Sequence, residues 1–159
     1  MKDKKMSTAV CRAALAQDLD QLAALFDGYR MFYDLPGDLA LSRRYLTARM
    51  AARESQIFVS VADDGRLTGF CQLYPGFCSL EAARIYTLYD LYVDPAARGS
   101  GAGRLLLRAA QDFAREQGAA RMDLTTARSN ARAQSLYESE GWRRDEVFLA
   151  YQWFPETRA

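Results

Sequence analysis

The spacing of apolar residues separates a helical first third of the chain from a strand-rich remainder. Apolar positions recur every three or four residues over about 19–33 and again over about 38–53, which predicts two amphipathic helices divided by Pro36-Gly37. Asp18 and Asp38 precede these segments, and each is predicted to cap its helix. The first third of the chain is therefore predicted to form a helical hairpin.

Runs rich in Val, Ile, Leu, Phe and Tyr, bounded by turn residues, predict strands in the rest of the chain. With an initial strand, they lie at about 8–14, 57–61, 67–73, 83–93, 121–126 and 146–154. Two further helices are predicted over about 102–117 and 130–140, each closed by a glycine, Gly118 and Gly141.

The resulting order is βααβββαβαβ, with antiparallel hairpins first and strand–helix–strand crossovers afterwards. We therefore predict an α/β (α+β) fold with a mixed, twisted central sheet of about six to seven strands and helices on both faces. No repeat or linker divides the sequence, so residues 1–159 are expected to form one domain, with residues 1–7 disordered or extended.

Composition restricts the chemistry that this domain can perform. Lys and Arg number 21 against 20 for Asp and Glu, so no nucleic-acid partner is expected. Histidine is absent, which excludes Ser-His-Asp catalysis, Cys-His catalysis and His-ligated zinc, and no metal is expected. The three cysteines form no C-x-x-C pair and are interpreted as small hydrophobic residues in a reduced compartment.

The sequence gives no sign of a membrane segment or a secretion signal. The uncharged run over 67–80 is too short to span a bilayer and is interrupted by glycine and proline. The basic start of the chain resembles a signal peptide, but Arg12 interrupts the apolar stretch that follows it. We therefore expect a cytoplasmic protein without a membrane partner.

The most informative segment is the glycine-rich loop that follows the strand at 83–93. Gly99, Gly101 and Gly103 occupy alternate positions, and a helix is predicted to begin among them. Glycines let backbone N–H groups approach a ligand closely, and a helix N-terminus adds unpaired N–H groups and a positive dipole end. This pattern predicts an anion cradle suited to a pyrophosphate, flanked by Arg98 and Arg104.

Other glycine-loop motifs fit less well. A P-loop requires a Gly-Lys pair, and none occurs here. The dinucleotide fingerprint requires a different glycine spacing, although Asp123 lies about twenty residues downstream, where a ribose-binding acid is expected. A flexible turn between strand and helix remains the alternative to a binding loop.

The motif Arg98-x-x-Gly101-x-Gly103, after a Leu-Tyr-Val-Asp-Pro strand end, resembles the R/Q-x-x-G-x-G/A signature of the GNAT superfamily of N-acetyltransferases. The similarity extends from the first strand to the last. It implies acetyl-CoA as donor, with the pyrophosphate on backbone amides of residues 98–104. It also implies a bulge near Tyr92 that splays the long strand from its parallel neighbour, so that the pantetheine arm binds there like an added strand.

A second motif lies about thirty residues downstream and opens with Asn130, with Tyr137 seven positions later. In the superfamily the matching Asn contacts the cofactor and the matching Tyr bonds the thioester sulfur, where a phenol can protonate the departing thiolate. Tyr137 shares a helical face with Ala133 and Leu136, so a core role stays open, as does a capping role for Asn130. The predicted cofactor residues are Leu91, Tyr92, Val93, Arg98, Gly99, Ser100, Gly101, Ala102, Gly103, Arg104, Asn130, Ala133 and Tyr137.

The acceptor side rests on fewer signals. Without histidine, the proton of the attacking amine must pass to Asp90, to Glu81, or to a water held by either. Asp90 lies beside the expected thioester, although it equally fits a structural partner of an arginine. Tyr29, Tyr33 and Tyr74 are predicted to line the substrate cleft, and their surroundings resemble a branch related to polyamine, histone and D-amino-acid acetyltransferases.

We therefore predict an acetyl-CoA-dependent N-acetyltransferase that acts on a primary amine of a small molecule, such as an amino acid or a polyamine, by direct attack in a ternary complex. Two alternatives stay open: acetylation of proteins or peptides, and a non-catalytic acyl-CoA-binding sensor, against which Tyr137 argues. The strand predicted at 146–154 carries apolar residues on both faces, more than an exposed edge tolerates, which predicts a homodimer built partly on it.

Overall fold

The computed structural model describes residues 9–155, so the expectation for residues 1–7 lies outside the described residues. The described chain falls into two units that meet between Thr125 and Thr126, and the single-domain assignment stays a prediction. The first unit contains β1 (Val10–Ala13), α1 (Leu19–Phe32), α2 (Leu39–Ala52), β2 (Gln56–Val61), β3 (Leu67–Cys78), β4 (Ala83–Val93), α3 (Ala102–Glu116) and β5 (Met122–Asp123). The second contains α4 (Ala131–Ser139).

The first unit is built on a five-stranded sheet in the order β1-β2-β3-β4-β5. The pairs β1–β2, β2–β3 and β3–β4 are antiparallel, and β4–β5 is parallel. The predicted α/β fold with a mixed sheet is thereby confirmed, with five strands among residues 9–155 in place of the expected six to seven.

Helices cover both faces of this sheet. Adjacent residues of β2 point to opposite faces: Phe58 contacts the ring of Phe113 on α3, whereas Val59 belongs to the core beneath α1 and α2. That core consists of Leu22, Ala23, Leu25, Phe26, Leu46, Ile57, Val59, Leu67 and Phe70. The apolar stripes predicted for the two early helices therefore meet the apolar positions of β2 and β3.

The two predicted helix caps have different outcomes. Asp38 caps α2, because its carboxylate accepts a hydrogen bond from the Leu41 backbone N–H at 2.9 Å. Asp18 occupies the predicted N-cap position of α1 but makes no capping hydrogen bond: its carboxylate instead pairs with the Arg12 guanidinium at 2.6 and 2.9 Å and accepts from the Leu15 N–H. A charged donor outcompetes the amides of α1, and it lowers the pKa of Asp18. None of the helices within 9–155 has the length and apolarity needed to cross a bilayer.

Two predicted strands are missing or shortened. The segment 146–154 is irregular rather than a strand. The Asp145 carboxylate accepts hydrogen bonds from the backbone N–H groups of Val147 and Phe148 at 2.8 and 3.1 Å. The strand predicted at 121–126 is reduced to the two residues of β5. In 146–154 the Asp145 carboxylate occupies two amides that strand pairing would need, and β5 has one hydrogen-bonded neighbour among the described residues, β4.

Candidate functional site

A bulge in β4 opens one edge of the sheet. Gln72 pairs with Asp90 and Leu73 pairs with Leu88, so Tyr89 is an extra residue on β4. The bulge therefore lies at Tyr89, three residues before the position near Tyr92 that the resemblance implied. On its other side β4 pairs with β5 only through Tyr86 and Thr87, and among the described residues the edge beyond them has no partner strand.

The bulge determines which backbone groups face this open edge. Before the bulge, the backbone N–H of Tyr86 donates to the Arg121 carbonyl, so the backbone N–H of Tyr86 points away from β3. After it, the Asp94 N–H donates to Thr68 on β3, and alternation along an antiparallel pair then turns Leu91 and Val93 toward the open edge. These are the two residues predicted to bind the pantetheine arm.

The extra residue at Tyr89 also determines the face of the sheet on which the Asp90 side chain lies. The Tyr86 ring packs on Phe113 of α3, and unbroken alternation would put Asp90 on that face as well. Because Tyr89 is an extra residue, Asp90 instead points to the α1 side, opposite Gln72. The bulge thus carries the carboxylate into the group of tyrosines on α1 and β3.

Asp90 is a buried carboxylate, 3% exposed. It accepts a hydrogen bond from Gln72 Nε2 at 2.7 Å, and Gln72 Oε1 accepts one from the Ser55 hydroxyl at 2.7 Å. Burial raises the pKa of Asp90 above its ordinary value, and the hydrogen bond from Gln72 lowers it in part. This carboxylate is therefore a stronger proton acceptor than an exposed aspartate, which suits a general base.

Tyr29, Tyr33 and Tyr74, the predicted substrate residues, surround this carboxylate. Burial raises the pKa of each phenol, and the negative charge of Asp90 raises it further. The Tyr29 ring lies 5.2 Å from that of Tyr33, and the Tyr74 ring lies 5.6 Å from that of Tyr89. The three phenols therefore stay protonated and form an aromatic wall with hydroxyl groups around one carboxylate. Their binding of substrate stays a prediction.

Glu81, the other candidate base, lies elsewhere. It is exposed at the turn between β3 and β4, and its carboxylate pairs with Arg121 at 3.0 Å. It lies nine positions before Asp90, and most of the residues between them are in the extended strand β4, which corresponds to roughly 25–30 Å. The structure therefore places Asp90, and not Glu81, beside the open edge of β4.

The glycine loop between β4 and α3 has the backbone shape of a ligand-binding loop. Gly99 and Gly101 have φ of 82° and 90°, in the left-handed region that side chains rarely adopt. A Cβ added at either glycine would meet no atom within 4 Å, so the space beside the loop is open. α3 begins at Ala102, and the N–H groups of its first turn have no intrahelical acceptors. This geometry fits a pyrophosphate, whose binding stays a prediction.

The side chains of Arg98 and Tyr92 are engaged within the protein. Arg98 Nε donates to the Val93 carbonyl at 3.1 Å, and its guanidinium lies over the rings of Phe32 and Tyr92. Tyr92 in turn packs on α1, where a side chain on Gly28 would approach its hydroxyl to 2.8 Å. These contacts make Arg98 a brace between the loop and β4. Its backbone N–H donates to the Pro95 carbonyl at 3.4 Å, and its cofactor contact stays a prediction.

The second unit holds the remaining predicted residues. The Asn130 side chain accepts from the Ala133 N–H at 3.2 Å, which confirms its capping role on α4. The Tyr137 ring lies 6.1 Å from that of Trp142, and its carbonyl accepts from the Trp142 N–H. Gly141, with φ of 87°, ends the turn after α4. The cofactor contacts of Asn130, Ala133 and Tyr137 stay predictions.

Cysteine and metal chemistry receive no support from the described residues. Burial raises the pKa of Cys11 to about 11 and that of Cys71 further, so both thiols are protonated at neutral pH and poor nucleophiles. All three cysteines are free. Within 9–155 there is no group of three or more His, Cys, Asp or Glu side chains that could hold a metal ion.

The sequence reasoning missed the residues that hold Asp90 in place. Gln72 and Ser55 form a hydrogen-bonded chain to the carboxylate, and the Tyr45 hydroxyl lies 2.5 Å from that of Tyr74. One signal was present: Gln72 is a polar residue between Phe70 and Tyr74 on one face of a buried strand. A polar side chain at such a position needs a buried partner.

Known proteins are similar to this chain in fold and in sequence. The chain matches the model of the acetyltransferase (GNAT) family over residues 20–142. It is 43% identical over 140 residues to the uncharacterized N-acetyltransferase YhfO of Bacillus subtilis, covering 88% of this chain and 93% of that protein. It is 34% identical over 131 residues to a mycothiol acetyltransferase of Sanguibacter keddieii, covering 80% of this chain and 42% of that protein.

A crystal structure of a probable acetyltransferase superposes on this chain with a TM-score of 0.87 at 40% identity, covering 94% of this chain and 99% of the other. Fold, loop motif and sequence similarity therefore agree with the resemblance seen in the sequence. The chain belongs to the acetyltransferase (GNAT) family and is an N-acetyltransferase.

Proposed function

We propose that this N-acetyltransferase moves the acetyl group of acetyl-CoA directly onto a primary amine of a small molecule, within a ternary complex. The observation that carries the proposal is the buried Asp90 carboxylate, whose raised pKa suits a base and whose neighbour Leu91 faces the open edge of β4. A base and an oxyanion donor at adjacent residues are what acyl transfer to an amine requires.

Each step of the reaction then has a residue assigned to it. Asp90 takes a proton from the incoming ammonium group, directly or through a water, and the neutral nitrogen attacks the thioester carbonyl carbon. The backbone N–H of Leu91 stabilises the negative charge that develops on the carbonyl oxygen. The tetrahedral intermediate then collapses: the nitrogen releases its second proton to solvent, the C–S bond breaks, and the Tyr137 hydroxyl protonates the departing thiolate, the role that the family resemblance gives it. The phenolate regains its proton from solvent.

Similarity to a mycothiol acetyltransferase supports a small-molecule acceptor, although this chain covers 42% of that protein. The aromatic wall around Asp90 supports the same choice, because its three tyrosines, Tyr29, Tyr33 and Tyr74, surround a single carboxylate. The link to the polyamine, histone and D-amino-acid branch rests on sequence resemblance alone.

A screen of amine acceptors tests the proposed activity. Purified protein, acetyl-CoA and pools of amino acids, polyamines, amino sugars and peptides are combined, and the release of free thiol is followed by a chromogenic reagent. We expect release with a pool of small amines. Release with peptides alone would indicate a protein acceptor, and acetyl-CoA binding without release in any pool would indicate a sensor.

Replacing Tyr137 with phenylalanine is expected to lower turnover at least tenfold and to leave acetyl-CoA affinity near that of the wild type. The change keeps the ring packing against Trp142 and removes only the hydroxyl, which acts mainly as charge develops on the sulfur. Steady-state kinetics and calorimetry measure the two quantities. Tyr86→Phe, in a tyrosine on the α3 face of the sheet, is the matched control and should keep full turnover. Full turnover in Tyr137→Phe would assign protonation to another group.

Replacing Gln72 with leucine is expected to raise the pKa of Asp90, because it removes a hydrogen bond that lowers that pKa. A base works only when deprotonated, so the acidic limb of the kcat/KM profile should move to higher pH. NMR titration of the Asp90 carboxyl carbon measures the same shift without turnover. Ser55→Ala keeps the Gln72–Asp90 bond and should shift the profile less. An unmoved limb beside a shifted NMR titration would mean that Asp90 is not the base.

We also propose a cytoplasmic location and a site that takes neither nucleic acid nor a membrane surface. The near balance of charges supports this proposal, since Lys and Arg number 21 against 20 acidic residues. Measuring retention on heparin and on anionic vesicles at physiological salt tests the second part.

A further inference from the structure

A cavity of about 340 Å³ lies where α2 leads into β2, next to the face of the sheet that α3 covers. All of its lining residues lie between positions 14 and 113, so the cavity belongs to the first unit alone. Its volume falls within the range of small-molecule sites, roughly 300–1,000 Å³. The lining residues that could recognise a ligand are Met50, Arg53, Pro75, Arg84, Tyr86 and Phe113.

This cavity is separate from the candidate acetyl-transfer site. The Tyr86 ring in its wall packs on Phe113 of α3 at 5.4 Å, whereas the Asp90 side chain points to the α1 side of the sheet. Phe113 lies eleven residues after Ala102, which places it roughly 16 Å along α3 from the glycine loop. A ligand in the cavity would therefore bind without contact to the reacting atoms.

The cavity carries positive charge and no acid. Arg53 follows α2, and Arg84 lies on β4 two positions before Tyr86, on the same face of the sheet. Among the described residues neither arginine pairs with a carboxylate, and the Arg84 guanidinium lies over the Phe77 ring at 5.2 Å. None of the ten lining residues is acidic. Two arginines at one cavity favour an anion, and their planar guanidinium groups suit a carboxylate.

A buried hydroxyl adds a hydrogen-bond donor to this cavity. Tyr86 is 5% exposed, and within residues 9–155 its hydroxyl has no hydrogen-bond partner. A buried phenol ordinarily has such a partner. Met50, Pro75 and Phe113 supply apolar surface beside it. The combination of cations, one hydroxyl and apolar walls fits an anion that has an apolar body.

Arg53 occupies its position against the preference of the backbone. It is the C-cap residue of α2 and has φ of 52°, in the left-handed region where glycine is favoured. Folding alone would therefore favour glycine here. An arginine held in this conformation indicates that its side chain has a role other than ending the helix.

We propose that this cavity binds a small organic carboxylate with an apolar body. The carboxylate lies at Arg53 and Arg84 and accepts a hydrogen bond from the Tyr86 hydroxyl, and the apolar body packs on Met50 and Phe113. The proposal does not depend on the acetyl acceptor or on the residues assigned to catalysis.

Calorimetric titration of the full chain with 3-phenylpropionate tests the proposal. We expect one site with a dissociation constant of about 1 mM or tighter, which is ordinary for a ligand of this size. The neutral 3-phenylpropionamide and the small anion acetate should each bind at least about tenfold more weakly, because one lacks the charge and the other the apolar body. Saturating acetyl-CoA should leave the affinity for 3-phenylpropionate unchanged.

Two substitutions locate the bound probe. Arg53→Gly and Arg84→Gln should each weaken the binding of 3-phenylpropionate at least about tenfold. Arg53→Gly should also keep a Tm at or above that of the wild type, since glycine adopts the left-handed conformation without strain. Its loss of affinity therefore cannot come from unfolding. Arg44→Gln is the matched control, because Arg44 is an exposed arginine of α2 outside the cavity, and this variant should keep full affinity.

Four results would overturn the proposal. They are no binding of 3-phenylpropionate at about ten times the expected dissociation constant, equal affinity for the amide, unchanged affinity in both arginine variants, and displacement of the probe by acetyl-CoA. The last result would place the probe in the cofactor site instead.

Discussion

Replacing Asp90 with asparagine is expected to lower turnover at least about 100-fold, because positioned proton transfer typically contributes that much to the rate. Asparagine keeps the size of the side chain and can still accept the hydrogen bond from Gln72 Nε2. Acetyl-CoA affinity should stay near that of the wild type, since the predicted cofactor loop is untouched. Thiol release and calorimetry measure the two quantities, with Asp63→Asn in the exposed β2–β3 turn as control.

The same substitution is expected to make the protein more stable at neutral pH. Burial raises the pKa of Asp90 in the folded state above the unfolded value of about 3.9. The stability that this group contributes is therefore fully present below the unfolded pKa and is lost as pH rises through the folded pKa. Asp90→Asn removes that loss, so its Tm should exceed the wild-type Tm near pH 7 and approach it in acid. An Asp90→Asn variant with full turnover and unchanged Tm would contradict both the catalytic role and the raised pKa.

Replacing Gly101 with valine is expected to weaken acetyl-CoA binding by about 100-fold or more. The new side chain would enter the open space beside the loop, where the pyrophosphate is proposed to lie. Each hydrogen bond to a charged group contributes about 1.5–3 kcal/mol, and two lost bonds account for this factor. Calorimetric titration of the folded variant with acetyl-CoA measures the affinity.

Gly118→Val provides a matched control for that experiment. Gly118 follows α3 at its other end, also has a positive φ, 66°, and has no atom within 4 Å of an added Cβ. Both variants should lose about 1–3 kcal/mol of folding free energy through backbone strain, which chemical denaturation measures. Only Gly101→Val should lose affinity. Equal affinity in the two variants would place the cofactor away from this loop.

The elements that the sequence predicted correctly are those decided by nearby residues. The periodicity of α1, the Asp38 cap of α2 and the glycine loop before α3 all depend on contacts within a few positions of the chain. The loop motif also led to the family, because glycines at fixed spacing are required wherever backbone N–H groups must approach a ligand.

The site around Asp90 was only half predictable. Its tyrosines and the carboxylate were identified as candidates, but the face on which Asp90 lies follows from the bulge at Tyr89. A bulge reverses the direction of every side chain after it, and it is fixed by the pairing of β4 with β3. Gln72 was identified as the hydrogen-bond partner of Asp90 only from the pairing of these two strands.

The sequence by itself determined the helices, the β2–β3 hairpin, the glycine-rich loop at 98–103 and the membership of an acetyltransferase family. The tertiary structure alone decided that Asp90 is buried beside an open strand edge, that Asp18 pairs with Arg12 rather than capping α1, and that 146–154 is not a strand within the described residues. The physical reason is range: helix periodicity and turns are governed by neighbours in the chain, whereas burial, ion pairing and strand pairing depend on residues far away in sequence.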